Sequence, residues 1–450
     1  MVSKVMKKSA AGYPVKRRNN KWHKWAVVTA CVVLALVLTL LIPSLGFRKS
    51  PGAVQKVIYP KAYAIDDYDA EREVREQNPV ADSFLAALAN ISYKTGSVIL
   101  ANAGRNINYS PLSLYYALSL AASGARNETE AELLALLGVA DTAALSQQCG
   151  NLYRLLYRDN EIGRLKIANS LWLDDEVNGV RVEFKKSFVQ NAVENFYASV
   201  HRVNFAGAEA GKAMAAWVAD NTNGRLLPDF ETDPQQILSI LNTIYFYDQW
   251  IDRFDESNTA EDVFYLADGG KVKCDFMHQT LVRYYALGDG FTRSGLGLKN
   301  RSRMVFILPN EGISPADLLS SPEKMREVFN GGEEIWGEVV WKVPKFSFKS
   351  NLLLTDVISN LGVSSAFTPE ADFGGITDQP AFITNIRQDT QITIDEKGVE
   401  ASAFTLIDYA GSALPEGRVK MNLDRPFIYG ITAENGSLLF VGICENPAAQ

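Results

Sequence analysis

The spacing of apolar residues along the chain alternates between the period of a helix and that of a strand. Apolar residues recur at helical spacing in residues 80–95 and again after Ser110 and Pro111, a pair that is typical of a helix start. Residues 237–254 (ILSILNTIYFYDQWIDRF) are almost continuously apolar, which predicts a strand buried on both faces. The pattern therefore predicts a mixed α and β fold with a large core.

The stretch from residue 391 to residue 417 combines the pattern of a strand with the ends of a loop. Ile392 and Ile394 alternate with polar neighbours, and beyond Gly398 every second residue is small, β-branched or aromatic. That phase comprises Val399, Ala401, Ala403, Thr405, Ile407 and Tyr409. Gly411 and Pro415 then follow, as in an exposed loop. A loop with the composition of a strand is a local conflict, and such conflicts are typical of functional sites.

The N-terminal segment is first basic and then strongly apolar. The first 50 residues carry ten of the 45 Lys and Arg side chains and none of the 52 Asp and Glu side chains. Residues 25–47 carry no charge and would span about 34 Å as a helix, enough to cross a bilayer. We therefore predict a cytoplasmic tail at 1–24, a transmembrane signal-anchor at 25–47, a stalk at 48–78 and an extracytoplasmic domain at 79–450, in a single-pass protein of the cell membrane. A cleaved signal peptide is the alternative.

Charge and motifs restrict the classes of function. The 400 residues that follow the first 50 carry a net charge of −17, which argues against nucleic acid or a heparin-like polyanion as partner. Cys31, Cys149, Cys274 and Cys444 are too scattered for a disulfide framework, and no zinc-type spacing of cysteine and histidine occurs. The motifs of serine hydrolases, zinc proteases and phosphate-binding loops are also missing. The sequence predicts no metal, no cofactor and no enzyme activity.

Three motifs near the C-terminus resemble those of the serpin family. They read EKGVEASA at 396–403, LDRPFIYGI at 423–431 and LLFVGICENP at 438–447. They resemble the hinge of the serpin reactive-centre loop and the C-terminal signature of that family, and further similar segments follow the serpin order over roughly 79–446. The resemblance implies an α+β serpin fold with three β-sheets, eight or nine helices and an exposed reactive-centre loop at about 396–425.

The serpin mechanism supplies an expected function. In that mechanism a protease attacks the exposed loop, and the loop then inserts into the main sheet while the protease remains acyl-linked. The resemblance therefore implies a monomeric suicide-substrate inhibitor of serine proteases, with cysteine proteases as further targets. Together with the predicted transmembrane anchor, the resemblance implies a membrane-anchored, bacterial-type member of the serpin family. A non-inhibitory serpin that acts as an extracytoplasmic binding or adhesion module is the alternative, and Phe404, where small residues are usual, is expected to slow insertion.

The resemblance also assigns site residues. Counting the loop from Glu396 places the reactive bond at Ser412–Ala413, which favours an elastase- or subtilisin-like target, with Arg418 as the alternative site. Gln388 stands where many members have a histidine, so we expect it to hydrogen-bond Ser110 and Asn242 without pH sensitivity. The implied hinge residues are Glu396, Gly398, Val399, Glu400, Ala401, Ser402 and Ala403. The implied shutter and breach residues are Ser110, Ser113, Asn242, Trp250 and Gln388.

Overall fold

The structure, a computed structural model, describes residues 53–55, 57–101, 103–177, 179–234, 236–399 and 416–449. They belong to a single structural unit, Ser50–Gln450. Within them the chain forms ten α-helices, two short 3₁₀ helices and nineteen strands in three sheets. The predicted α+β fold is confirmed.

The helices lie mostly in the first half of the described chain. The α-helices are Tyr68–Gln77, Asp82–Leu100, Pro111–Gly124, Asn127–Leu137, Thr142–Leu156, Lys186–Phe196, Ala208–Asn221, Pro315–Leu318, Pro322–Asn330 and Thr355–Asn360, and the 3₁₀ helices are Glu256–Asn258 and Ser365–Phe367. The helix Pro111–Gly124 begins with Pro111 at its first position, and the side chain of Ser110 caps it by accepting a hydrogen bond from the backbone amide of Ser113 at 3.3 Å. It is buried around nearly its whole circumference, as expected of a helix enclosed by the core.

The strands are numbered in chain order. They are β1 (Ala53–Gln55), β2 (Ile107–Tyr109), β3 (Arg158–Asp159), β4 (Arg164–Asp174), β5 (Glu176–Val177), β6 (Val180–Arg181), β7 (Ala198–Val203), β8 (Leu238–Gln249), β9 (Ala260–Tyr265), β10 (Lys271–Gly288), β11 (Phe291–Gly297), β12 (Arg303–Pro309), β13 (Glu333–Pro344), β14 (Phe346–Leu353), β15 (Arg387–Ile394), β16 (Gly398–Val399), β17 (Arg418–Asn422), β18 (Phe427–Thr432) and β19 (Leu438–Cys444).

Two large sheets and a small ribbon contain these strands. The main sheet has the order β1-β7-β4-β8-β16-β15-β14, with β3 paired to β4. The second sheet has the order β17-β13-β10-β11-β12-β18-β19-β2, with β9 paired to β10. Strands β5 and β6 form the ribbon. Strand β17 lies at the edge of the second sheet. It pairs in parallel with β13, which is antiparallel to β10.

Both faces of the main sheet are covered near its centre. Ile240 and Ile244 of β8 join the large core, whereas Leu241 joins a smaller core with Trp217 of the helix Ala208–Asn221. Successive side chains of a strand point to opposite faces, so a strand covered on both sides must be apolar at nearly every position. This explains the almost continuous apolar run that the sequence shows at β8.

The predicted localisation at the cell membrane is contradicted. A helix needs about 20 consecutive apolar residues to cross a bilayer, and no helix in the described part of the chain has the required length and composition. The longest of them, Asp82–Leu100, buries Phe84 and Leu88 in the protein core and exposes Asn90 and Lys94. Residues 25–47, on which the single-pass prediction rested, lie outside the described residues, and the membrane localisation is not retained.

The described part of the predicted stalk contacts the rest of the unit. Tyr59 stacks on Tyr157 with ring centroids 6.0 Å apart. Arg75, in the helix Tyr68–Gln77, forms an ion pair with Glu434 at 3.1 Å, and Glu71 of the same helix pairs with Arg301 at 2.7 Å. These residues therefore pack on the protein surface.

Candidate functional site

The predicted hinge occupies the middle of the main sheet. Gly398 and Val399 form β16, which is antiparallel both to β8 and to β15. Gly398 pairs with Gln249, and Val399 pairs with Asp248 on one side and with Ile394 on the other. Among the described residues no ladder joins β8 directly to β15. The chain therefore enters the main sheet between two neighbouring parallel strands before it reaches residue 400.

Only glycine fits at position 398. A Cβ atom there would lie 2.3 Å from the carbonyl oxygen of Asp248 and 2.8 Å from the Cα of Gln249. Both are backbone atoms of β8, so no side-chain rotation can relieve the contact. The absence of a side chain thus allows the hinge to approach β8 closely enough to pair.

Trp250 fixes the turn that leads into the hinge. Its side chain is fully buried, and its indole Nε1 donates to the carbonyl of Asp395 at 2.9 Å. The backbone amide of Trp250 donates to the carbonyl of Lys397 at 3.1 Å, and the backbone amide of Phe254 donates to the carbonyl of Glu396 at 3.1 Å. These three bonds tie residues 395–397 to the end of β8 and the segment after it.

Glu396 anchors the same turn through its side chain. It is 7% exposed and forms an ion pair with Lys345 at 3.0 Å, and it accepts a hydrogen bond from the hydroxyl of Thr259 at 2.8 Å. Burial alone would raise the pKa of Glu396, but its own backbone amide, Lys345 and Thr259 together hold that pKa below its ordinary value. The turn before the hinge is therefore held by a charged group as well as by the backbone.

The predicted shutter residues meet beneath the main sheet. Gln388 accepts from the backbone amide of Ser110 at 2.8 Å and donates to the carbonyl of Ser110 at 2.9 Å. Ser113 donates to Asn242, and Asn242 in turn donates to Asn169 of β4. The expected bond from Gln388 to Asn242 is not among those described, so two short networks meet where one bridge was predicted. The sequence did not single out Asn169, because a polar residue in a strand carries no signal of a partner 73 residues away.

Asp248 is a second site residue that the sequence did not identify. It lies in β8 opposite Val399 of the hinge, and its side chain is buried, with 1% exposed. Its carboxylate accepts hydrogen bonds from the backbone amide of Gln249 at 2.8 Å and from the backbone amide of Asn300 at 3.0 Å. Burial raises the pKa of Asp248 to about 7 in spite of these donors. A carboxyl group that titrates near neutral pH therefore lies directly beside the hinge.

The predicted reactive bond lies beyond the described residues. Residues 400–415 are outside that range, and they include the predicted site residues Glu400, Ala401, Ser402, Ala403, Ser412 and Ala413. Arg418 lies in β17, opposite Glu338 of β13, and its guanidinium forms an ion pair with Glu338 at 2.7 Å. Within the described residues no group of three His, Cys, Asp or Glu side chains could hold a metal ion.

The described chain is thus an α+β fold whose main sheet holds Gly398 and Val399 as a short strand between β8 and β15. The family profile of serpins (serine protease inhibitors) matches residues 88–447, and the chain belongs to the serpin family.

Individual relatives agree with this assignment. The chain is 30% identical to Serpin-ZXA of Oryza sativa subsp. japonica over 404 residues, which cover 84% of this chain and 98% of that protein. The crystal structure of the thermophilic serpin tengpin in its native state matches with a TM-score of 0.74, at 23% identity over 87% of this chain and 97% of tengpin. Arabidopsis AtSerpin1 in its native stressed conformation matches with a TM-score of 0.71, at 25% identity over 82% of this chain and all of that chain. These matches do not support the prediction of a membrane-anchored bacterial-type member.

Proposed function

We propose that this serpin is a suicide-substrate inhibitor of serine proteases and that residues 400–415 are the bait. The observation that carries the proposal is the position of β16 between β8 and β15, two strands that no other described ladder joins. A loop cut after its hinge can lengthen β16 into a full strand that is antiparallel to both neighbours. The family's description as serine protease inhibitors supports the same function.

The two ladders of β16 predict the register of the inserted strand. Val399 lies opposite Asp248 of β8 and Ile394 of β15. Continuing both antiparallel registers by six residues brings Thr405 opposite Asn242 on one side and Gln388 on the other. The two extrapolations agree, and they place the hydroxyl of Thr405 beside the shutter. We therefore propose that the shutter residues receive Thr405 when the loop inserts.

Two buried polar atoms on the flanking strands lack a partner among the described residues. They are Oγ1 of Thr243 in β8 and Oε1 of Gln391 in β15. In the extrapolated register Ser402 lies opposite Gln391 and can donate a hydrogen bond to it. Val399 is already buried in β16, so insertion would newly bury Ile407 and Tyr409, at about 1.5–3 kcal/mol each, and every ladder hydrogen bond formed by residues 400–409 would add about 0.5–1.5 kcal/mol. A gain of that size is comparable with the stability of a protease domain, about 5–15 kcal/mol.

We propose Ser412–Ala413 as the reactive bond. A protease binds its substrate as an extended segment, and Arg418 is less suited to this because β17 already pairs with β13 there. A small residue before the bond favours an elastase- or subtilisin-like enzyme. Glu400, Ala401, Ser402 and Ala403 add no bulk to the inward face of the strand that would follow cleavage.

The test is to incubate the purified full chain with elastase, subtilisin, chymotrypsin and trypsin. Denaturing gels report any covalent adduct, and mass spectrometry identifies the released peptide. The proposal predicts an SDS-stable adduct together with a peptide that begins at Ala413. Complete cleavage without an adduct, and without a gain in the thermal stability of the cleaved chain, would contradict it.

The alternative, a non-inhibitory serpin that binds a partner, is favoured by one feature. Phe404 would lie on the outer face of the main sheet, opposite Thr243 in the extrapolated register. Its ring must then fit beneath the segments that cover this face, which include the helix Ala208–Asn221. If the ring blocks insertion, the loop is cut as an ordinary substrate. Replacing Phe404 with alanine would then produce an adduct that the natural chain does not form.

A further inference from the structure

The second sheet exposes aromatic and apolar side chains on its outer face. Val282 and Tyr284 of β10 are 43% and 53% exposed, and they lie opposite Glu338 and Trp336 of β13. Directly opposed residues share a face of the sheet, and the rings of Tyr284 and Trp336 are 4.9 Å apart at their centroids. We call Val282 and Tyr284, together with the partly buried Trp336 and Val340, the tyrosine–tryptophan face. Exposed apolar groups that cluster in this way indicate a binding surface.

The C-terminal end of the bait is attached beside this face. The backbone amide of Glu416 donates to the carbonyl of Trp336 at 2.9 Å, and the amide of Glu338 donates to the carbonyl of Gly417 at 2.7 Å. Residue 416 is therefore fixed to β13 at the position of Trp336. Any molecule that holds the chain just before residue 416 must lie close to the tyrosine–tryptophan face.

The chain between the proposed reactive bond and residue 416 is short enough for a bound protease to reach the face. Ser412 and Glu416 are four positions apart, which allows at most about 14 Å even in a fully extended chain. A protease domain of roughly 230 residues has a radius of gyration of about 17 Å. The body of a protease bound at Ser412–Ala413 can therefore reach Tyr284 and Trp336.

The charge around the face defines the chemistry of its partner. Glu333, Glu334 and Glu416 are exposed beside it, and Glu334 also pairs with Arg293 at 3.6 Å. Two cations lie on the β17 side of the face: Arg418 is engaged with Glu338, and the exposed Lys420 lies opposite Val340. The acidic side chains lie at the Trp336 end of the face, and an apolar surface with acidic groups at one end is complementary to an apolar side chain next to lysine or arginine. We propose that the tyrosine–tryptophan face is a second contact surface for the target protease and binds such a basic and apolar patch next to the active-site cleft. The proposal rests on the proposed function only in taking a protease as the partner of the loop.

The test measures how fast the full chain is consumed by each protease of the panel, counting adduct and cleaved product together. The total does not depend on whether insertion follows cleavage. The variant Val282→Ser/Tyr284→Ala removes the exposed centre of the face. The matched control is Tyr265→Ala, because Tyr265 is 48% exposed on β9 of the same sheet and pairs with Lys271, about 43 Å from Tyr284 along β10.

We expect the double variant to be consumed five- to twenty-fold more slowly than the natural chain by the protease that cuts fastest, and Tyr265→Ala to be consumed at the natural rate. A synthetic peptide spanning residues 405–420 should be cut equally fast in all experiments, and thermal unfolding of the variants should match that of the natural chain. Glu333→Lys alone should also slow consumption, and its effect should weaken at high salt.

The outcomes separate the two proposals. If the double variant is consumed at the natural rate by every protease that cuts the loop, the contact surface is refuted and the suicide mechanism is unaffected. If consumption slows but no adduct ever forms, the contact surface stands and the suicide mechanism fails. If no protease of the panel cuts the loop, both proposals fail.

Discussion

Replacing Gly398 with alanine is expected to keep the hinge out of the main sheet. The new Cβ would lie 2.3 Å from the carbonyl oxygen of Asp248, whereas ordinary contacts begin near 3.4 Å. The chain must therefore move away from β8 by about 1 Å, and a ladder hydrogen bond does not survive such a shift. The substitution thus tests whether β16 is needed for the loop to enter the sheet.

The size of the effect follows from what β16 contributes. Its ladder hydrogen bonds contribute about 0.5–1.5 kcal/mol each. Val399 is 3% exposed, and its burial contributes about 1.5 kcal/mol or more. The variant therefore loses about 2–4 kcal/mol in total, and it loses this before any later strand pair can form. Insertion should slow by at least tenfold, because about 1.4 kcal/mol corresponds to a factor of ten in rate.

The assay is the ratio of adduct to cleaved product on denaturing gels after one equivalent of the protease that cuts the loop. We expect Gly398→Ala to be cut at the natural rate and to yield cleaved product with little adduct. The matched control is Gly207→Ala, where the new Cβ would meet its nearest neighbour, the carbonyl oxygen of Asn204, at an ordinary 3.4 Å. An adduct yield for Gly398→Ala equal to that of the control would refute the role assigned to β16.

Two further predictions concern buried polar groups. Burial raises the pKa of Asp248 to about 7, so the contribution of this carboxyl group to stability is complete below about pH 4 and is lost as the pH rises through 7. Asp248→Asn should therefore remove a pH dependence of the order of 4 kcal/mol from the free energy of unfolding, measured with urea between pH 4 and 8. The same pH dependence in both chains would contradict this. Gln388→Ala leaves the backbone amide and carbonyl of Ser110 without their partner, so unfolding at pH 7 should be easier by about 2–4 kcal/mol, and an unchanged midpoint would show that water replaces the side chain.

The sequence predicted those parts of the site that lie in continuous segments. The period-two pattern from Ile392 to Tyr409 predicted a hinge, because alternation along one strand is visible without a partner, and of its residues beyond Glu396 the structure describes the strand Gly398–Val399. The apolar run around Asn242 identified a strand covered on both faces for the same reason. Gly398 was recognised as the start of the loop, although only the structure shows that the backbone of β8 requires a glycine there.

The remainder depends on contacts between segments that are far apart in sequence. Asp248 was missed because its hydrogen-bond partner Asn300 lies 52 residues further along the chain. The sequence predicts a stalk at 48–78, and only the structure shows that Glu71 and Arg75 of this segment pair with Arg301 and Glu434. A local pattern cannot reveal such partners. The tyrosine–tryptophan face was missed because its residues come from two strands more than 50 positions apart.

Hydrogen–deuterium exchange of the intact and the loop-cleaved chain tests the central claim most directly. If the loop inserts, the amides of β8 and β15 that face each other become paired, so deuterium uptake in residues 238–248 and 387–394 should fall markedly after cleavage at Ser412–Ala413, and peptides from 400–411 should become protected. Unchanged uptake in both strands after complete cleavage would contradict the claim, because a full ladder cannot form without protecting them.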